Sequence, residues 1–141
     1  MALERTLAII KPDSTGKGNT GKILADLEDN GFKILAMRQA LLTAEQAREF
    51  YAEHRGKPFY GSLVAYMISG PVVLAALERE DAVAGLREVM GATDPAEAAE
   101  GTIRRRFGES IERNAIHGAA THADAAREIA FLFREAELIQ Q

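Results

Sequence analysis

The sequence Leu7-Ala8-Ile9-Ile10-Lys11-Pro12-Asp13 predicts a short buried β-strand near the start of the chain. An uninterrupted run of apolar residues is typical of a strand that is buried, and proline cannot donate to the hydrogen-bond ladder of a sheet. We therefore expect this strand to end near Lys11. Similar runs predict three further strands, at residues 32–42, 72–77 and 111–117.

Helical patterns separate these strands. Apolar residues at helical spacing predict a helix from Gly21 to Asn30, where an Asn-Gly pair ends it. Thr43 and Gln46 have the spacing of a capping box, which predicts a helix over residues 44–54. The remaining predicted helices cover residues 59–69, 81–90, 94–101 and 121–136.

Strands that alternate with helices in a chain of 141 residues predict an α/β (α+β) fold, with one sheet and helices packed on one of its faces. Four strands fit a ferredoxin-like arrangement with an antiparallel sheet. A doubly wound parallel sheet usually contains more strands than this chain holds. The length predicts a single domain over residues 1–141.

The composition excludes several kinds of protein. The chain has no cysteine, which excludes a disulfide framework, a thiol nucleophile and cysteine-based metal sites, and which fits a cytoplasmic location. No apolar run approaches the roughly 18 residues that span a bilayer, so no membrane association is expected. With 17 Lys and Arg against 21 Asp and Glu, the net charge of −4 argues against a protein that coats nucleic acid nonspecifically. No specific nucleic-acid partner is expected.

Residues Gly16-Lys17-Gly18-Asn19-Thr20-Gly21-Lys22 match two phosphate-binding patterns, G-x-G-x-x-G and G-x-x-x-x-G-K. Each match is incomplete. Ile23 stands where a P-loop needs a magnesium-binding hydroxyl, and five residues separate the first glycine from the predicted strand. The segment is therefore interpreted as a flexible surface loop, with a P-loop NTPase as an alternative.

Arg104-Arg105-Arg106 is a cationic cluster in an acidic protein. It fits either a solvated face with ion pairs to Glu109 and Glu112, or a polyphosphate site, because guanidinium groups match paired oxygens. Lys11, at the end of the first strand, is either solvated or a cation placed over the sheet edge.

One of the three histidines, His117, lies at the end of a predicted strand, whereas His54 and His122 are interpreted as structural. An imidazole titrates near neutral pH, so His117 can act as a base or a nucleophile. The next residue, Gly118, has no side chain and predicts open surroundings that let a ligand approach the backbone.

Glu128, on the last predicted helix, flanks the apolar face of that helix, while Arg127 is expected to turn away. A carboxylate drawn toward a protein core usually has a partner. The helix starts a few residues after His117 and can run back across the strand end. The spacing therefore predicts that Glu128 contacts and orients the His117 imidazole.

Four segments together resemble the nucleoside diphosphate kinase family: Ile9-Ile10-Lys11-Pro12-Asp13, Ser69-Gly70-Pro71-Val72-Val73, Met90-Gly91-Ala92-Thr93-Asp94-Pro95 and Asn114-Ala115-Ile116-His117-Gly118. The resemblance is collinear from about Glu4 to Gln141. It implies the ferredoxin-like fold, normally in a homo-oligomer. It also implies ping-pong transfer of the terminal phosphoryl group from a nucleoside triphosphate to a nucleoside diphosphate.

The resemblance assigns the catalytic roles residue by residue. His117 is implied to be the nucleophile that becomes a phosphohistidine, and Glu128 to hydrogen-bond to its other ring nitrogen. Lys11 is implied to contact the sugar 3′-hydroxyl, and Tyr51 to lie near the transferred group. Mg²⁺ is the implied cofactor, carried by the nucleotide phosphates with few or no protein carboxylates.

The resemblance also implies a set of nucleotide-binding residues. These comprise Lys11 and Asn114 at the sugar, Arg87, Thr93 and Arg104 at the phosphates, and Phe59 and Ile111 on the two sides of the base. Stacking on an aromatic ring accepts every base, so low selectivity among nucleosides is expected.

The chain departs from the family after the His-Gly pair, where Ala119-Ala120 replaces the usual Ser and Asp. A missing hydroxyl at Ala119 removes a hydrogen bond of about 1 kcal/mol near His117, which predicts a several-fold slower enzyme. The same departure keeps a non-catalytic nucleotide- or protein-binding module as an alternative.

Overall fold

A computed structural model describes residues 2–139, so that Met1, Gln140 and Gln141, at the ends of the predicted domain, lie outside the described residues. The sheet consists of β1 (Leu3–Ile10), β2 (Lys33–Ala40), β3 (Val72–Glu80) and β4 (Ile116–Gly118). Their order is β2-β3-β1-β4, and every neighbouring pair is antiparallel. The predicted ferredoxin-like, four-stranded antiparallel sheet with packed helices is confirmed.

Strand β1 is buried on both faces. Leu7 and Ile9 pack into one core cluster, whereas Ala8 and Ile10 pack into a second. Successive side chains of a strand point to opposite faces, so a continuous apolar run needs cover on both sides of the sheet. The expectation of helices on a single face is therefore wrong.

Within residues 2–139, seven helices surround the sheet. They are α1 (Pro12–Gly16), α2 (Thr20–Asp29), α3 (Ala44–Phe50), α4 (Tyr60–Met67), α5 (Ala82–Met90), α6 (Ile103–Phe107) and α7 (His122–Leu132). Helices α3, α4 and α7 contribute to the first cluster, and α2, α5 and α6 to the second. Short 3₁₀ turns occur at Ala52–His54, Pro95–Glu97 and Glu135–Glu137. Between residues 2 and 139, no helix is long and apolar enough to cross a membrane.

Local hydrogen bonds define several helix ends. The predicted capping box is confirmed, because Gln46 N donates to Thr43 Oγ1 at 3.0 Å and Thr43 N donates to Gln46 Oε1 at 2.9 Å. Helix α1 was not predicted. It begins at Pro12, since proline ends a strand but also suits the first position of a helix. Helix α6, also unpredicted, is capped by the Thr102 side chain.

The predicted strand over residues 111–117 is largely wrong, because β4 contains only Ile116–Gly118. The amides of Glu109 and Ser110 both donate to the Arg113 carbonyl, which closes a turn. Ala115 then takes a φ of 75°, a left-handed conformation that a strand does not contain. The residues before β4 therefore form a loop at the end of the sheet.

Candidate active site

A cavity of about 490 Å³ opens beside the adjoining ends of β1 and β4. Most of the predicted site residues line it, namely Lys11, Tyr51, Phe59, Arg87, Thr93, Arg104, Ile111, Asn114 and His117. They come from distant parts of the chain. Antiparallel pairing of Ile9 with His117 brings Lys11, just after β1, beside the residues around β4.

Lys11 and Asn114 form a buried polar chain along one wall. Lys11 Nζ donates to Asn114 Oδ1 at 2.9 Å, and Asn114 Nδ2 donates to the Thr93 carbonyl at 3.0 Å. Burial of the ammonium group, and then the positive charge of Arg104, lower the pKa of Lys11 to about 8, although Asp13 and Glu112 act in the opposite direction. The cavity therefore holds a cation that is poorly solvated and suited to a negatively charged ligand.

Arg104 is only 7% exposed and has no carboxylate partner among the described residues. Its guanidinium donates to the carbonyls of Gly91, at 3.1 Å, and Ile116, at 2.8 Å. Burial, and then the neighbouring charge of Arg87, lower its pKa to about 10, so it stays charged at neutral pH. Arg87 and Arg104 thus share the cavity, and neither guanidinium pairs with a carboxylate of residues 2–139.

The rest of the arginine cluster faces elsewhere. Arg105 donates to the Ala96 carbonyl, and Arg106 pairs with Asp26. The ion pairs expected for the cluster are wrong in both cases, because Glu109 pairs with Lys17 and the Glu112 carboxylate accepts from Ser62 Oγ.

The predicted contact between His117 and Glu128 is present. His117 Nε2 lies 2.8 Å from Glu128 Oε1, and the carboxylate is 3% exposed. Arg127 turns away from the apolar face as expected, with its side chain 45% exposed, and its Nη2 lies 3.6 Å from the second oxygen of Glu128. The rings of Phe50 and Tyr51 pack edge-on against the imidazole, with centroids at 5.3 and 6.1 Å. Glu128 thus reaches the cavity only through His117.

His54 and Glu112 line the cavity although sequence reasoning did not place them there. The His54 ring stacks with Tyr51 at 6.2 Å and packs against Phe59 at 5.2 Å. The spacing of three residues from Tyr51 was the available signal, because such residues share one side of a helical turn. His122, in contrast, contacts Glu4 at the surface, 3.0 Å away.

The two glycine-containing segments that the sequence singled out, residues 16–22 and Gly118, lie in different places relative to the cavity. None of residues 16–22, all of which the structure describes, lines this cavity. The expected flexible surface loop is wrong, because Gly16 ends α1, residues 20–22 begin α2, and only residues 17–19 form a turn between them. Most of α1 lies between β1 and this turn, which is not the strand-to-loop geometry of a P-loop. Gly118 lines the cavity, but its surroundings are not open, because a Cβ there would lie 2.6 Å from Met90 Sδ.

Comparisons with known proteins agree on one family. The family model described as nucleoside diphosphate kinase matches residues 4–138. The nucleoside diphosphate kinase of Rhodospirillum centenum is 55% identical over 139 residues, which cover 99% of each chain. That of Sorangium cellulosum is 56% identical over 133 residues, or 94% of this chain and 92% of the relative.

Solved structures give the same result. The Aquifex aeolicus nucleoside diphosphate kinase superimposes with a TM-score of 0.96 at 46% identity, covering 98% of this chain and all of the other. A Halobacterium salinarum nucleoside diphosphate kinase in complex with CDP gives 0.94 at 40% identity, covering 99% and 93% of the two chains. This chain therefore belongs to the nucleoside diphosphate kinase family, phosphotransferases whose general function is phosphoryl transfer between nucleotides.

Proposed function

We propose that this protein transfers the terminal phosphoryl group of a nucleoside triphosphate to a nucleoside diphosphate through a phosphohistidine on His117. The observation that carries the proposal is the 2.8 Å contact between His117 Nε2 and the buried Glu128 carboxylate. An ionised carboxylate only accepts hydrogen bonds, so His117 Nε2 must be the donor and carries the imidazole proton. The lone pair of Nδ1 is then available as the nucleophile.

The reaction has two half-steps of the same kind. In the first, Nδ1 of His117 attacks the terminal phosphorus, and a P–N bond forms as the P–O bond to the departing nucleoside diphosphate breaks. In the second, a terminal phosphate oxygen of another nucleoside diphosphate attacks the phosphohistidine and the P–N bond breaks. Glu128 stabilises the imidazolium character that develops on the ring during both steps.

The cations of the cavity supply the electrostatic part of catalysis. Phosphoryl transfer spreads negative charge over the equatorial oxygens, and Lys11, Arg87 and Arg104 offset that charge. The Tyr51 hydroxyl is buried without a partner in the described part of the chain, and burial followed by the charge of Glu128 raises its pKa. It therefore remains a protonated donor for the transferred group.

The outer part of the cavity suits the nucleoside. Phe59 and Ile111 are large apolar side chains that remain exposed, 44% and 61%, and they can enclose a base between them. Lys11 and Asn114 are assigned to the 3′-hydroxyl, and Thr93 to the phosphates. The Halobacterium salinarum relative was solved in complex with CDP, a ligand of this class.

The proposed Mg²⁺ reaches the cavity bound to the phosphates. Glu112 is the one carboxylate in the lining, and no cluster of three or more metal-ligating side chains occurs within residues 2–139. This donor set fits an ion held mainly by the nucleotide, which neutralises phosphate charge when bound.

Incubation with γ-labelled ATP, without an acceptor, tests the proposal. The protein should retain an acid-labile, base-stable label, and adding a nucleoside diphosphate should remove it. The label should be lost in His117→Ala and kept in Lys22→Ala. Release of free phosphate that depends on Lys22 would instead support the P-loop alternative, and binding without any label would support the non-catalytic module.

The homo-oligomer implied by the resemblance remains a prediction, which the molar mass from light scattering will test. The cytoplasmic location also remains a prediction.

A further inference from the structure

We propose that Asp13 is a positioning residue for His117 and Asn114, because its buried carboxylate holds the backbone of Ala115 in a left-handed conformation. Asp13 does not line the cavity and so does not touch the nucleotide. The inference rests on the proposed role of His117. In the Lys11-Pro12-Asp13 segment, Asp13 would then position the loop before β4, in addition to the charge that Lys11 brings to the cavity.

Ala115 carries the unusual backbone. Its φ is 75°, and within residues 2–139 only one other residue besides glycine, Asp81, has a positive φ. An alanine side chain crowds the following carbonyl in this region, so surrounding contacts must hold it there. Ala115 is fully buried, directly follows Asn114 and lies two positions before His117, and both of these residues line the cavity. A change in the φ of Ala115 would redirect the side chains of Asn114 and His117.

Asp13 and Lys11 bind the two backbone polar groups of Ala115, its amide and its carbonyl. Asp13 Oδ2 accepts the Ala115 amide at 3.1 Å, and the Lys11 amide donates to the Ala115 carbonyl at 2.9 Å. These bonds join residues about one hundred positions apart in the sequence. Both peptide groups of Ala115 are therefore anchored to the residues that follow β1.

Tyr66 holds the Asp13 carboxylate in turn. Its hydroxyl accepts the Asp13 amide at 2.7 Å and donates to Asp13 Oδ1 through a short hydrogen bond. The Arg113 guanidinium lies over the Tyr66 ring, 5.1 Å from its centroid, which adds a second link to the same loop. With both its oxygens engaged and only 8% exposed, Asp13 has little freedom to rotate.

The geometry predicts a specific second-site rescue. Glycine adopts positive φ without steric cost, so Ala115→Gly should make the loop conformation independent of the Asp13 carboxylate. A general structural role for Asp13 would not be repaired by this change. The test uses four forms of the full chain: wild type, Asp13→Asn, Ala115→Gly and the double variant.

Single-turnover formation of the His117 label and steady-state kcat and KM are measured for each form. Asp13→Asn should lower kcat by about 10- to 100-fold, with a smaller change in KM, because small misplacements of reacting groups cost this much. The double variant should return to within about threefold of Ala115→Gly alone. Asp81→Gly is the matched control, since it relieves positive φ elsewhere and should not rescue Asp13→Asn.

A wild-type kcat in Asp13→Asn, or no rescue by Ala115→Gly, would overturn the inference. If Asp13→Asn does not fold, Tyr66→Phe with and without Ala115→Gly carries the same test and the same two outcomes. Failure of the proposed function has a different signature. In that case His117→Ala keeps its label, whatever the Asp13 variants do.

Discussion

Two glycine-containing segments of this protein, residues 16–22 and residues 114–118, differ in how the rest of the fold holds them. A Cβ added at Gly16, Gly18 or Gly21 would meet no atom within 4 Å. At Gly118, it would lie 2.6 Å from Met90 Sδ and 2.9 Å from Leu86 Cδ2. The first segment resembles a phosphate loop by pattern alone, and the second is built into the core beside the cavity.

Hydrogen bonds show the same difference. The amides of Gly18 and Asn19 bond to Thr15 and Ser14, a few positions away in the chain. Residues of the second segment bond to β1 about one hundred positions away, through Lys11–Ala115 and the β1–β4 ladder. A motif tied to the core by non-local contacts can hold side chains precisely enough for catalysis, whereas a surface turn cannot.

Gly118→Ala should have the largest effect of the changes considered for this comparison. The new methyl group overpacks Leu86 and Met90, both fully buried, which predicts a loss of about 1–3 kcal/mol in the free energy of unfolding. Gly21→Ala lies on an exposed part of α2 and should raise that free energy by up to about 1 kcal/mol. Urea denaturation measures both, and equal effects at the two glycines would break the comparison.

Lys11 provides the next test, because it lines the cavity beside the second segment, whereas no residue of 16–22 does. With a pKa of about 8, Lys11 loses its charge as the pH rises above 8, so kcat/KM should fall about tenfold per pH unit there. Arg104, Asp13 and Glu112 are the charged groups that shift this pKa. The alkaline fall should vanish in Lys11→Met and persist in Lys17→Met. Its persistence in Lys11→Met would contradict the assignment.

The stability of the protein should respond to Lys11 in the opposite direction. The pKa of Lys11 is about 8 in the folded chain, against 10.5 ordinarily, so the unfolded chain binds more protons between these values. Stability therefore rises with pH across this window as the cost of burying the ammonium charge disappears. The difference in unfolding free energy between wild type and Lys11→Met should follow that rise.

The sequence predicts the parts of this fold that follow from repeating patterns. The apolar run of β1 and the Thr43–Gln46 capping box behave as expected, because periodicity and caps are local properties. The loop before β4 is different. Its left-handed residue is an alanine, Ala115, held by Asp13 from the other end of the chain, and no local signal encodes such a contact.

Within the candidate site, the positions of most lining residues were predicted correctly, but the roles of some residues were not. The resemblance named most of the lining, and His117 and Glu128 meet as the helix direction predicts. It missed His54, which lies on a short 3₁₀ turn beyond α3 rather than on a regular helix. The residue pattern also suggested that Gly118 gives a ligand access to the backbone, whereas close packing against α5 requires a glycine at this position.

Ala119→Ser, directly after the second segment, should have the smallest effect, a several-fold change in kcat. Ala119 is fully buried against Val83 and Ala125, and Ala125 lies one helical turn before Glu128. A hydroxyl that reaches the Glu128 carboxylate should raise kcat several-fold, from a hydrogen bond of about 1 kcal/mol. A hydroxyl buried without a partner would leave kcat unchanged and lower the unfolding free energy by about 1–3 kcal/mol, which contradicts the prediction. Ala120→Ser, the same change at the exposed neighbouring position, should alter neither quantity.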